Sequence, residues 1–360
     1  MNAAMARART SFTVPAALHA TEPPEASGRS RDGVRLLVAR DGGFEHARFR
    51  DLGDHLAPGD LVVVNASATR PAAVDGIRPG GAGVTVHFST PGRAGRWIAE
   101  LRAPDGSRGR GAPGDVVFLP GGARVDVVSS HPDPSFAGSR LWSVQFTGDI
   151  ALDGYLDRYG RPITYDYVHG RWPLEVYQTV FARVPGSAEM PSAARPFTHR
   201  LVTGLVARGI AVAPVVLHCG VSSPEVGEPP QEERFEVPPA TARLVDATHR
   251  GGGRVIAVGT TVTRALETVA RRDGTVAAGS GVTDLVLDAA RPARVVDGLV
   301  TGWHPAGASH LSLLKAVAGA ELVQSAYEAA LAHRYLWHEF GDSCLLLPGP
   351  RDGARAAAVA

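Results

Sequence analysis

The sequence lacks the features typical of disulfide-rich, zinc-binding, membrane and secreted proteins. Its two cysteines, Cys219 and Cys344, are too few for a disulfide framework or a zinc site. The longest apolar run, Ile210 to Leu217, is far shorter than the roughly 20 residues that span a bilayer. The first ten residues contain no apolar stretch typical of a signal peptide. We therefore expect a cytoplasmic protein that is not embedded in a membrane.

The chain also lacks an excess of charge of either sign. It has 37 basic and 36 acidic residues, and Lys315 is its only lysine. No overall field draws such a chain toward nucleic acid, so any RNA contact must come from a local patch of arginines. The segment from Arg102 to Arg110 is one candidate for such a patch, and a solvated loop is the alternative.

Apolar residues, by contrast, make up 44% of the 360 residues, enough for one large core or two smaller ones. We expect an α/β domain formed by residues 31–74 and 150–350, with a small β-barrel domain inserted at residues 75–149. Residues 1–30, rich in Ala and Pro, are expected to be a loosely ordered lead-in, and residues 351–360 a frayed tail.

The barrel prediction depends on short strand candidates that recur without a helical pattern between them. They are Val84–Phe88, Trp97–Leu101, Val116–Leu119 and Trp142–Phe146. Turns rich in Gly and Pro separate them. A helix of three or more turns in this stretch would contradict the prediction.

The flanking sequence alternates strands with helices, which predicts a mostly parallel sheet with flanking helices. Strands are predicted at 35–38, 61–64, 210–218, 254–258, 283–287, 295–301 and 344–347. Helices are predicted from Thr198 to Gly209, from Pro238 to Gly251, after Gly259, and at 309–318 and 321–335. Leu201, Val202, Leu205 and Val206 form the apolar face of the first helix, and Leu244 and Val245 lie inside the second.

Ligands of an open α/β sheet bind beyond the carboxyl ends of its strands, so the residues that follow each strand are candidates for a site. These are His218, the turn Gly259-Thr260-Thr261 and His304. The turn opens a helix whose N–H groups could hold a carboxylate or phosphate, and ordinary helix capping is the alternative. Either histidine could be a base, or simply a satisfied polar residue.

Other polar residues near the strands have simpler interpretations. Arg264 and Glu267, three apart on one helix, suggest an exposed ion pair. Asp284, after Thr283, and Asp342 could cap turns. No His, Cys or acidic pair has the spacing of metal ligands, so no metal is expected. The glycines Gly251–Gly253 precede their strand, which excludes a dinucleotide-binding fingerprint.

Several segments resemble, in the same order, those of the S-adenosylmethionine:tRNA ribosyltransferase-isomerase family of queuosine biosynthesis. The longest is Arg254-Val255-Ile256-Ala257-Val258-Gly259-Thr260-Thr261, continuing to Arg264, Leu266 and Glu267. Others are 177–182, 295–301, Pro58-Gly59-Asp60, Thr283-Asp284, Trp303-His304 and Phe340-Gly341-Asp342. The chain is identified as a diverged member of this family over residues 34 to 347.

The resemblance implies an α/β domain with an inserted β-barrel and a specific reaction. The ribosyl part of S-adenosylmethionine is transferred to 7-aminomethyl-7-deazaguanine in tRNA and isomerised to epoxyqueuosine, with release of adenine and methionine. S-adenosylmethionine is then a co-substrate, tRNA is a partner, and neither a cofactor nor a metal is needed. His218 or His304 would transfer the proton. The expected substrate-binding residues are Gly259, Thr260, Thr261, Arg264, Glu267, Thr283, Asp284 and Asp342.

The chain departs from the family in its loops. Where the family has Asn-Asp-Thr-Arg it has Asn65-Ala66-Ser67-Ala68, the segment at 191–197 lacks a histidine, and the loop after His218 is shortened. Three hypotheses follow. The protein is a tRNA ribosyltransferase-isomerase, a transferase that modifies a free deazapurine or another small molecule, or a non-catalytic binder of S-adenosylmethionine or tRNA.

Overall fold

The computed structural model describes residues 12–132, 139–221 and 231–349. Within these ranges the strands are β1 (Arg35–Arg40), β2 (Gly43–Arg48), β3 (Leu61–Asn65), β4 (Ser67–Thr69), β5 (Ala73–Ile77), β6 (Gly83–Pro91), β7 (Trp97–Arg102), β8 (Val116–Phe118), β9 (Arg124–His131), β10 (Leu141–Thr147), β11 (Val184–Ser187), β12 (Ala211–Leu217), β13 (Glu233–Val237), β14 (Val255–Val258), β15 (Gly279–Thr283), β16 (Gly298–Thr301) and β17 (Ser343–Leu347). The α-helices are α1 (Leu152–Tyr159), α2 (His199–Ala207), α3 (Pro239–Arg250), α4 (Thr260–Thr268), α5 (Ser309–Ala318) and α6 (Ala320–Ala332). The expected tail, 351–360, and the loop after His218 lie largely outside the described residues.

The chain divides into two compact units. One comprises residues 1–65, 192–217 and 223–360, and the other comprises 66–191 and 218–222. The first contains a nine-stranded sheet in the order β15-β13-β12-β3-β14-β16-β17-β1-β2. The neighbours β12, β3, β14 and β16 run parallel, whereas β13, β15, β17 and β2 introduce antiparallel pairs. The α/β prediction is therefore confirmed as a mixed sheet with a parallel centre.

The sheet centre consists of strands without exposed faces. Every residue of β3, β14 and β16 is buried. Such continuous runs of Val, Leu and Ile are expected of parallel strands that are covered on both sides by helices. Asp60 joins two of these strands, because its carboxylate accepts bonds from the backbone and guanidinium of Arg254 at the start of β14.

Helix α2 begins where the sequence predicts. The Thr198 hydroxyl accepts a hydrogen bond from the Leu201 N–H at 3.2 Å, which caps the helix. The apolar face is narrower than predicted, since Leu201 and Leu205 are buried but Val206 is 58% exposed. In α3, Val245 is buried but Leu244 is exposed, because the two side chains leave the helix about 100° apart.

A strand predicted at residues 283–287 lies elsewhere: β15 occupies Gly279–Thr283. The Thr283 hydroxyl accepts a hydrogen bond from the N–H of Leu285 at 3.2 Å, a local turn that takes the chain out of the sheet. The lead-in also differs from expectation over its described part, residues 12–30. Leu18 is 3% exposed, and Glu25 pairs with Arg195 within the same unit.

The second unit contains a closed six-stranded barrel in the order β10-β7-β6-β5-β8-β9. Its interior is apolar, and α1 contributes Leu152, Tyr155 and Leu156 to that core. Among the described residues of 75–149 there is no α-helix, which agrees with the β module predicted from the sequence. A short parallel pair, β4 with β11, lies in the same unit. Of the described helices, none has the length and apolarity required to cross a membrane.

Candidate functional site

Three buried strands of the α/β unit end together at one edge of the sheet. β3 ends at Asn65, β14 leads into Gly259, and β16 ends at Thr301. The Gly259 N–H donates to the carbonyl of Val300 at 2.8 Å, so the ends of β14 and β16 are adjacent. We call Asn65, Gly259, Thr260, Thr261, Thr301 and His304 the strand-end cluster. In parallel sheets this edge is where ligands bind.

Asn65 is fully buried, and its amide connects two neighbouring elements. Its Oδ1 accepts the N–H of Leu217 at 3.1 Å, and its Nδ2 donates to the carbonyl of Leu217 at 2.8 Å. The same Nδ2 lies 3.3 Å from the hydroxyl oxygen of Thr261. Asn65 therefore fixes the end of β12 and the orientation of the Thr261 side chain at the start of α4.

Only glycine fits at position 259. The residue has φ of +91°, a conformation that side chains disfavour, and a Cβ there would lie 3.2 Å from the Cβ of Ala193. Gly259 is the N-cap of α4, and no side chain caps this end. The first-turn N–H groups of Thr260, Thr261 and Val262 therefore have no partner within the helix. A helix start with free N–H groups and two threonine hydroxyls can bind a carboxylate or phosphate.

His304 lies beside the end of β16. Its Nε2 is 3.2 Å from the hydroxyl oxygen of Thr301, and its backbone N–H donates to the phenol oxygen of Tyr327 at 3.2 Å. Its ring stacks on that of His310 with centroids 4.5 Å apart. Burial, followed by the nearby charges of His310 and His338, lowers the pKa of His304 well below its usual value. At neutral pH this imidazole is uncharged and can accept a proton.

His218 belongs to the unit that contains the barrel. Its Nδ1 is 2.8 Å from the hydroxyl oxygen of Ser67, which lies 2.6 Å from that of Ser187. The Cys219 N–H donates to Ser187 at 2.9 Å. These hydroxyls fix the Nδ1 edge of the imidazole, so His218 is an oriented histidine within its own unit.

The predicted pair Arg264–Glu267 does not form, although both residues lie on α4. Arg264 is buried and pairs instead with Glu233, and it also donates to the carbonyls of Thr283 and Leu285. The Glu267 carboxylate accepts the N–H groups of residues 294, 295 and 296 at 2.8 to 3.0 Å. The two side chains therefore leave α4 toward different elements, and each is fixed by bonds to the backbone.

Asp342 has the same kind of environment. It is 4% exposed and accepts the backbone N–H groups of Arg35 and Leu336, each at 2.8 Å, as well as the Arg35 guanidinium. We call Arg264, Glu267 and Asp342 the backbone clamps. The hydroxyl of Thr283 lies 2.6 Å from that of Thr268, whereas Asp284 is exposed.

Sequence reasoning missed part of this arrangement. In the sequence Asn65 is only the first residue of a segment that departs from the family, although its place at the end of β3 is the kind of signal that marks Gly259. Nothing in the sequence pattern places His310 and Tyr327 against His304. Within the described ranges, no three His, Cys, Asp or Glu residues are grouped so as to hold a metal ion.

Comparison with known proteins places these features in a family. Residues 8–346 match the family model described as queuosine biosynthesis protein. The S-adenosylmethionine:tRNA ribosyltransferase-isomerase of Symbiobacterium thermophilum is 36% identical over 348 residues, 93% of this chain and 98% of the relative. That of Moorella thermoacetica is 37% identical over 331 residues, 88% and 94% respectively. The crystal structure of S-adenosylmethionine tRNA ribosyltransferase from Thermotoga maritima has a TM-score of 0.51 and 26% identity, and the match covers 93% of this chain and 99% of that one.

Proposed function

Because the chain belongs to the queuosine biosynthesis family, we propose that it is an S-adenosylmethionine:tRNA ribosyltransferase-isomerase. It transfers the ribosyl moiety of S-adenosylmethionine to the aminomethyl group of 7-aminomethyl-7-deazaguanine in tRNA and isomerises it to give epoxyqueuosine. Adenine and methionine are released. The observation that supports this function most strongly is the strand-end cluster, which combines an uncapped helix start with a neutral histidine in one unit.

The reaction imposes two requirements on a site. The positive sulfonium makes the neighbouring C–H acidic, so a positioned base is needed to remove the proton. The methionine part carries a carboxylate, which needs fixed N–H or O–H donors. S-adenosylmethionine serves as the co-substrate. In this scheme the sulfonium both acidifies the carbon and supplies the leaving group, so no further cofactor is required.

The start of α4 is the proposed carboxylate site. The first-turn N–H groups and the hydroxyls of Thr260 and Thr261 can donate hydrogen bonds to a carboxylate. The partial positive charge of the helix N-terminus adds to this attraction. Because Asn65 already holds the Thr261 side chain, the ligand does not have to order it.

His304 is the base that the geometry of this unit favours. Its lowered pKa keeps the imidazole uncharged at pH 7, and the hydrogen bond with Thr301 fixes the ring. His218 is the second candidate, since Ser67 orients it in the other unit. We also propose that the protein carries out this reaction in the cytoplasm.

One observation favours a second acceptor, a free deazapurine. Ala66 and Ala68 stand where the family has an acid and an arginine. Two side chains that could contact a large substrate are therefore missing from the segment that leaves β3.

The test is to follow adenine release from S-adenosylmethionine with three acceptors: tRNA bearing 7-aminomethyl-7-deazaguanine, the free base, and unmodified tRNA. Nucleoside analysis then identifies the product. The proposal predicts adenine release and epoxyqueuosine with the first acceptor only. Release with the free base alone would support the small-molecule transferase. If no acceptor yields adenine while S-adenosylmethionine still binds, the protein is a binder.

A further inference from the structure

The barrel unit contains a cavity of about 270 Å³ that the proposed reaction does not use. It lies at one end of the barrel, where β5 and β7 end and β6 and β8 begin. Its lining includes the guanidinium-bearing residues Arg78, Arg102 and Arg110 and a single acid, Asp115. The volume is below the roughly 300–1,000 Å³ of sites for drug-sized ligands, so a small anionic group fits it better than a whole nucleoside.

Two of the arginines are held in place by hydrogen bonds and ion pairs. Arg78 donates through Nη1 to Asp115 at 2.7 Å and through Nη2 to the carbonyl of Arg110. Arg102 donates to the carbonyl of Gly106 at 3.1 Å and pairs with Glu100 at 2.9 Å. A guanidinium has five N–H donors, so each of these side chains keeps donors for a ligand.

The anchor of Arg102 is itself a buried charge. Glu100 is fully buried and also pairs with Arg140 at 3.1 Å. Burial raises the pKa of Glu100, but the neighbouring His87 and the charges of Arg102 and Arg140 outweigh it and bring the pKa to about 2. Glu100 is therefore ionised at every physiological pH and keeps the Arg102 guanidinium at the cavity wall. The Nε of Arg102 is buried and makes no hydrogen bond with any described residue.

Arg110 differs from the other two. It is exposed, and its guanidinium forms no hydrogen bond or ion pair within the described part of the chain. Arg78 and Arg102 therefore have ion-pair partners in the barrel unit, whereas Arg110 has none among the described residues. Because Arg78 is paired with Asp115 and Arg102 with Glu100, Arg110 leaves an excess of one positive charge at the cavity. Since the whole chain is close to neutral, this local excess is what an RNA contact would need.

The two glycines that flank Arg110 lie in close contact with the barrel. A Cβ at Gly109 would lie 2.7 Å from the Leu101 carbonyl oxygen, and one at Gly111 would lie 2.6 Å from the Trp142 ring. Neither position tolerates a side chain without a shift of its neighbours. These close contacts fix the backbone on both sides of Arg110 against the barrel.

We propose that this arginine cavity binds a backbone phosphate of the tRNA substrate. Guanidinium groups bind phosphate oxygens through paired N–H donors, and contacts of this kind position a nucleic acid without reading its sequence. The inference rests on the proposed function and extends it, because it assigns to the barrel the role of holding tRNA.

The test compares three variants that each change the charge by one unit. Arg110→Gln removes the unpaired guanidinium, and Ala112→Glu places a carboxylate on an exposed residue of the cavity lining. Arg93→Gln is the matched control, since Arg93 is also exposed but lies in the turn between β6 and β7 at their other end. Affinity for tRNA is measured at several salt concentrations, with inorganic phosphate as a competitor at constant ionic strength.

We expect Arg110→Gln and Ala112→Glu to weaken tRNA binding about 3- to 10-fold and to lower the slope of log affinity against log salt by about 1. Arg93→Gln should bind as the parent does, and S-adenosylmethionine affinity should not change in any variant. Inorganic phosphate should compete with tRNA for the parent more strongly than for Arg110→Gln. Equal tRNA affinity in all three variants would overturn the proposal.

The outcomes also separate this inference from the proposed function. A parent that forms epoxyqueuosine, with cavity variants that keep its KM for tRNA, would overturn the cavity assignment alone. A parent that forms no product but loses tRNA affinity in the cavity variants would contradict the function while supporting the cavity. If inorganic phosphate binds the cavity but tRNA does not bind the protein, the tRNA assignment is overturned.

Discussion

The strand-end cluster and the backbone clamps both include residues from segments that resemble the family, but their hydrogen bonding differs. Thr260 and Thr261, at the start of α4, leave donors unused within the helix, whereas Glu267, at the end of the same helix, accepts the N–H groups of three successive residues. Asp342 resembles Glu267 in this respect. Residues with one family signature therefore divide into those that can bind a ligand and those that hold the chain.

The difference has an energetic basis. A buried carboxylate that accepts several N–H bonds stabilises the fold, and its loss leaves those N–H groups unsatisfied. A free helix start contributes little to stability, yet it can bind an anion without a large rearrangement. We infer that Glu267 and Asp342 act through the fold, and that Thr260, Thr261 and His304 contact the substrate. The predictions below test this division.

The largest effect is expected from loss of the base in the strand-end cluster. His304→Gln should lower the rate of adenine release about 10²- to 10⁴-fold, as is typical when a general base is removed. The variant should remain folded and bind S-adenosylmethionine. His218→Gln is measured in parallel, and His199→Gln, an exposed histidine at the start of α2, is the control. Parental rates in both folded His304 and His218 variants would show that the base lies elsewhere.

A variant of a backbone clamp should lose stability of the fold, whereas the His304 variant should lose catalytic rate. Glu267→Gln replaces the charged acceptor with a neutral amide whose Nε2 faces the Arg294 N–H group that Oε2 accepts from, at a cost of about 1–3 kcal/mol. Chemical denaturation should therefore show a clear loss in the free energy of unfolding. Glu22→Gln, at an exposed position, should have no measurable effect. If Glu267→Gln kept full stability but lost affinity for S-adenosylmethionine, Glu267 would belong with the ligand site.

The histidines around the cluster make stability depend on pH. Burial lowers the pKa of His310 and of His338 to about 4, with smaller contributions from Arg264 and His19 respectively. In the unfolded chain these groups titrate near pH 6.5, so below that pH the unfolded state binds more protons. The free energy of unfolding should thus decrease as the pH falls from about 6.5 toward 4. His310→Gln should make the decrease shallower, and an unchanged pH dependence would contradict this account.

The sequence was sufficient for the elements but not for the environment of each site residue. Strand ends, glycine turns and the Thr198 cap are local signals, and the structure confirms four of the six barrel strands and α5 from them. The partners of Glu267 are about 27 residues away in sequence, and Arg264 pairs with Glu233, which lies in a different strand. Contacts of this range depend on how α4 packs on the sheet, and spacing along one helix does not contain that information.

The division between cluster and clamps is tested most directly by titrating S-adenosylmethionine into a Thr260→Ala/Thr261→Val double variant in a calorimeter. Two lost hydroxyl donors, at about 0.5–1.5 kcal/mol each, should weaken binding by roughly 5- to 100-fold. Thr261→Val also removes the acceptor of one Asn65 Nδ2 hydrogen bond, so the free energy of unfolding is measured in parallel and affinity is compared only for folded protein. Unchanged affinity in the folded double variant would contradict the account, because the ligand would then bind away from the start of α4.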